Sequence, residues 1–188
     1  MPQHDLQDLV KIGFLAFKEF ERGYRGGLLV TDNRGKPLEF RCTSPIRPNQ
    51  VQRILYGRTL IPFLAVRLIG VPLTNSVTEK PTVIVSNHDV FLDLRESIQQ
   101  PLLVVRRQGD SFGTAGSPQN RPGQDTVLIE SQGAKFDPIV VESHWRFPDE
   151  SKQLRYQLRE IFDYMDLLEP FERINKALDE VERQKAVE

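Results

Sequence analysis

Between Gly13 and Thr43, apolar and polar residues alternate in three short runs, and the connections between them are too short to hold a helix. Parallel neighbours need a crossover of about a dozen residues, so these runs can pair only as antiparallel hairpins. In the first run, Gly13 to Phe20, Phe14, Ala16, Lys18 and Phe20 share one face, and Leu15, Phe17 and Glu19 the other. Glu21-Arg22-Gly23 supplies a turn, and a second run extends from Arg25 to Thr31. Asp32-Asn33-Arg34-Gly35 is a stronger turn signal, because Asp and Asn tolerate turn positions and Gly35 is free to take a positive φ. Leu38, Phe40 and Cys42 then alternate with Glu39 and Arg41 in a third run, Pro37 to Thr43. The pattern predicts a three-stranded meander.

Beyond Pro48 the period changes. Asn49 can cap a helix whose apolar face is Val51, Ile54 and Leu55, with Gly57 breaking it. Thr59 can cap a second helix reaching about Ile69, with Pro62 in its first turn. Thr82 to Ser86, Leu102 to Arg107, Thr126 to Glu130 and Pro138 to Glu142 read as further strands, and Asn87 can cap a brief helix holding Val90, Phe91 and Leu94. Gln108 to Gln124 is rich in Gly, Pro and polar residues and reads as a mobile loop. From Pro148 the chain turns helical and charged. Leu154, Leu158, Ile161, Met165 and Leu168 form a narrow stripe, Pro170 separates two helices, and Phe171, Ile174, Leu178 and Val181 continue the stripe on the second.

The expected fold class is therefore α+β. A mainly antiparallel sheet begins with the meander, one or two helices lie in the middle, and a charged helical segment closes the chain. Residues 1–147 form the α+β domain, with the loop at about 108–124. Residues 148–188 pack on that domain or on a partner. With 39% apolar and 27% charged residues in 188, the chain can bury a core, which excludes wholesale disorder. A single cysteine, Cys42, excludes an internal disulfide and suits a reducing cytoplasm. The N-terminus shows no basic and apolar leader, and Leu60 to Leu73 is shorter than the roughly 20 residues of a bilayer span, so no membrane partner is expected.

The net charge of −1 conceals two opposed halves: residues 1–75 hold eleven Lys and Arg against six Asp and Glu, and the remainder is acidic. A basic half suits nucleic acid or an acidic partner, but it equally suits acidic helices folded back against it.

Candidate chemistry is sparse. The histidines, His4, His88 and His144, stand at no metal-ligand spacing with one another or with Cys42. His88 with Asp89 and Asp93 could hold a divalent ion, although helix capping accounts for the same residues. Asp32 and Glu39 could supply nuclease carboxylates from adjacent strands, although Asp32 suits the turn and Glu39 an exposed strand face. Ser44 and Ser86 lie in no nucleophile elbow. Gly26-Gly27 enters a strand instead of leaving one, the wrong order for a phosphate loop. His144-Trp145-Arg146-Phe147 carries the residue types favoured in binding hot spots, though it also suits a staple between helix and sheet.

The expectation from these features is a non-catalytic interaction or accessory subunit of a cytoplasmic assembly. It would hold another protein or a second copy through Trp145, Phe147, Leu158, Ile161, Met165 and Leu168, with no cofactor, metal or catalytic set. The alternatives are a nucleic-acid-binding subunit working through Arg41, Arg47, Arg53 and Arg58, and a metal-dependent hydrolase or nuclease using Asp32, Glu39, His88 and Asp89.

Overall fold

A computed structural model describes residues 11–110 and 126–187. The first three strands are β1 (Ile12–Phe20), β2 (Gly23–Thr31) and β3 (Pro37–Cys42), and they pair antiparallel as the hairpin turns require. At the second turn, Asp32 accepts hydrogen bonds from the backbone N–H groups of Arg34 and Lys36, and Gly35 takes φ +80.

The sheet as a whole is mixed, not mainly antiparallel. The later strands are β4 (Val83–Ser86), β5 (Leu102–Arg107), β6 (Thr126–Ile129) and β7 (Ile139–Ser143). The seven-stranded order is β3-β2-β1-β4-β5-β7-β6, and β4 runs parallel to both β1 and β5. The physical reason is burial. β4 and most of β5 are covered on both faces, so they are continuous apolar runs that carry no period-two signal of direction.

Two helical layers cover the sheet. On one face lie α1 (Gln50–Tyr56), a 3-10 turn (Gly57–Thr59), α2 (Leu60–Phe63), a π-helical stretch (Leu64–Gly70), α3 (Val71–Ser76) and a 3-10 segment (Asp89–Ser97). Asn49 and Gln52 form a reciprocal capping box at the start of α1, and Gly57 interrupts the run at φ +51. The helical run continues to Ser76, past the expected end near Ile69. On the other face lie α4 (Glu150–Tyr164) and α5 (Glu169–Val187). Phe171 meets Phe14 edge to face at 5.6 Å, a geometry worth roughly 0.5–1.5 kcal/mol beyond area burial.

Gly26 and Gly27 gain a role here that no phosphate explains. A Cβ on Gly26 would lie 2.0 Å from Ile69 on one face of β2, and a Cβ on Gly27 would lie 2.8 Å from Ile174 on the other. The pair lets both helical layers close on the same strand.

The C-terminal stripe is spent inside this chain. Leu158, Ile161 and Met165 are buried in the core between sheet and helices, and Leu168 is half-buried against it. Phe147 is half-buried beneath the Arg95 guanidinium, 4.0 Å from its ring centroid. Of the residues expected to face a partner, Trp145 alone is exposed. Conversely, the expected apolar face of α1, Val51, Ile54 and Leu55, stands in solvent. The expected mobile loop falls almost wholly on 111–125, outside the described residues.

Candidate functional site

In an open sheet with parallel strands, ligands favour the carboxyl ends of strands whose connections depart in opposite directions. Here that point lies between β1, which leads to β2 and β3, and β4, which leads to β5. Phe17 occupies it, with Tyr24, His88 and Phe91 around its ring at centroid distances of 6.4, 4.8 and 5.6 Å. Burial pushes the His88 imidazole below its ordinary pKa, while Asp89 opposes the shift, so the ring is neutral at pH 7. Tyr24 is raised, chiefly by burial and by its hydrogen bond with Glu19, against a lowering contact from Arg53. The site thus offers a neutral imidazole and a protonated phenol.

The 3-10 segment leads from His88 to Asp93 and Glu96 on the rim of a groove of about 600 Å³. Tyr56, Phe63 and Trp145 supply its aromatic surface, with Arg67 and Thr59 beside them. Tyr56 and Phe63 stack at 4.8 Å. Behind the rim, His144 is buried. Its Nδ1 accepts the Arg146 backbone N–H, and its Nε2 lies 3.4 Å from Asp93 and 3.7 Å from Glu96. Arg146 pairs with Glu96 and lies over Trp145. No sequence spacing flags this groove, because its lining comes from three separate segments.

The four arginines of the nucleic-acid alternative divide. Arg47, Arg53 and Arg58 follow the helical layer: Arg47 donates to the Arg22 carbonyl, Arg53 meets Tyr24, and Arg58 is exposed. Arg41 sits apart on the edge strand β3, paired with Glu39.

The carboxylates of the hydrolase alternative are not brought together. Asp32 follows Thr31, which pairs with Ile12 at the start of β1, whereas His88 and Asp89 lie beyond the end of β4. Glu39 accepts the backbone N–H groups of Thr78 and Glu79 at 2.8 Å. Those bonds, first that from Glu79, hold its carboxyl below the usual range. Glu39 therefore anchors the segment before β4 instead of facing solvent. Cys42 packs on the α4/α5 face, across the sheet from His88 and Phe17. Among the described residues no three His, Cys, Asp or Glu side chains converge to hold a metal ion.

No protein-family model and no curated protein matches this sequence. Solved structures do match the fold, and endonuclease V proteins are among them. One is an endonuclease V variant from Ciona intestinalis in complex with a 23mer DNA containing an inosine followed by a ribo-adenosine. It is 13% identical, with a TM-score of 0.53, over 97% of this chain and 88% of that one. Another is human ENDOV, 12% identical with a TM-score of 0.52, over 95% of this chain and 86% of that one. At such identity the likeness is one of fold. It overturns the expectation of a non-catalytic accessory subunit docking a partner protein, because the solved structures that share this fold are endonucleases, one of them in complex with DNA.

Proposed function

We propose that this chain is a nucleic-acid-processing protein that holds a single strand in the groove between the helical layer and Trp145. The observation that carries the reading is the pairing of aromatic and cationic surface in one place. Tyr56, Phe63 and Trp145 offer faces for bases, and Arg67 lines the same groove to meet a phosphate. From Phe40 to Thr78 the chain has five arginines and no acid, an excess of positive charge along that segment. Asp93 and Glu96 repel phosphate but accept hydrogen bonds from base amino and imino groups. This favours a strand whose backbone lies over the helices and whose bases turn toward the 3-10 segment. The DNA complex formed by the Ciona protein of this fold supports the same ligand class.

Fluorescence anisotropy with labelled single-stranded DNA and RNA tests it. Affinity should fall as salt rises, because each phosphate contact releases counterions, and Arg67→Gln should flatten that dependence. An affinity insensitive to salt, or a salt dependence unchanged in Arg67→Gln, would overturn the proposal.

A further inference from the structure

We infer that α1 is a docking surface for an anionic lipid bilayer, a role independent of the nucleic-acid groove. α1 buries none of its residues in the protein. Val51, Ile54 and Leu55 stand on one face at i, i+3 and i+4 and are 62%, 70% and 76% exposed. A seven-residue helix is marginal by itself in water. This one is held by its capping box at Asn49 and by the stacking of Tyr56 on Phe63, and its aliphatic side chains are thereby presented outward.

Charge selects the occupant. Arg47 and Arg58 flank the aliphatic face in sequence, and no acid occurs between Phe40 and Thr78. A second copy docked through the same patch would set arginine against arginine, which disfavours a symmetric dimer. Nucleic acid would meet the arginines, but Val, Ile and Leu give it neither a stacking face nor a hydrogen bond. An anionic bilayer satisfies both parts, taking the aliphatic side chains at the acyl boundary and the guanidinium groups at the headgroups. The composition agrees: Gln50–Ser76 is apolar and long enough to cross a membrane by those measures alone. The break at Gly57 and the burial of Leu64, Ala65, Ile69 and Leu73 against the sheet keep the run on the protein, so α1 lies on the surface of the bilayer.

The test is co-sedimentation of the full chain with vesicles of phosphatidylcholine alone and of phosphatidylcholine with phosphatidylglycerol. Binding should require the anionic lipid, and Leu55→Asp or Ile54→Asp should lower the partition coefficient by about tenfold or more. Both sites are exposed, so the thermal transition should not move; Ile54→Ser is a milder companion should it do so. Oligonucleotide affinity should remain that of the wild type in Leu55→Ser and Ile54→Ser, which remove aliphatic surface without adding a charge beside Tyr56, and this separates the surface from the groove. Three results would each overturn the assignment: no anionic-vesicle binding, binding indifferent to both aspartates, or a wild-type dimer that Leu55→Asp dissociates. Loss of oligonucleotide binding in Leu55→Ser would likewise overturn it in favour of nucleic acid.

Discussion

The imidazole of His88 lies on the phenyl ring of Phe17 with centroids 4.8 Å apart, joining the ends of two strands that are distant in sequence and parallel in space. That contact removes His88 from water and lowers its pKa from 6.5. The unfolded chain therefore takes up a proton at a higher pH than the folded one. The contribution is complete above pH 6.5 and is lost as pH falls through the lower folded value. Urea midpoints should drop between pH 7.5 and pH 5, and His88→Phe should flatten that drop. A variant with the same pH slope as the wild type would contradict this account.

Arg25 and Glu182 tie α5 to β2. The guanidinium is 1% exposed, its Nε donates to Glu182 Oε2 at 2.6 Å, and a second nitrogen donates to the Thr43 carbonyl. Removing the carboxylate strands a buried cation, at a cost of about 3 kcal/mol. The neighbouring Lys18–Asp179 pair is far more exposed, and its loss should cost under about 1 kcal/mol. Chemical denaturation of Glu182→Ala and Asp179→Ala should preserve that ranking, and equal losses would refute it.

Gly26→Ala should destabilise the fold by about 1–3 kcal/mol, because the added methyl falls on Ile69. Ile69→Ala removes the obstructing methyl but leaves a cavity. The double variant should thus lose less than the two single losses combined. Strict additivity in a double-mutant cycle would show that the two positions do not collide.

The hairpins were legible because their information is local: alternation, Asp32 and Gly35 lie within a few residues of what they direct. Asn49 and Gly57 were legible for the same reason. The parallel pairing of β4 was not, since Val83–Ser86 is short and apolar on both faces. α1 misled in the opposite sense, because an i, i+3, i+4 apolar pattern implies a covering layer, and none covers it here. The site was least visible. Phe17 and Tyr24 read as ordinary strand residues, and His88 as a helix-cap neighbour or ion ligand, until β1 and β4 are laid side by side, and Trp145 joins Tyr56 only across the fold.

Trp145 offers the most direct reading of the groove. It is the only tryptophan in the chain and is 45% exposed on the groove wall, so selectively excited tryptophan emission reports from that wall. A base stacking on the indole should quench the emission as oligonucleotide is added, with a midpoint equal to that found by anisotropy. Trp145→Ala should weaken binding by roughly 1–3 kcal/mol, the usual worth of one stacked base. Its salt slope should stay that of the wild type, because no phosphate contact is lost. Arg67→Gln should do the converse, reducing the slope by about 0.7 for a single-strand phosphate contact while leaving the quench intact. Binding without quenching would place the bases elsewhere, and a Trp145→Ala variant of wild-type affinity would remove stacking from the mechanism.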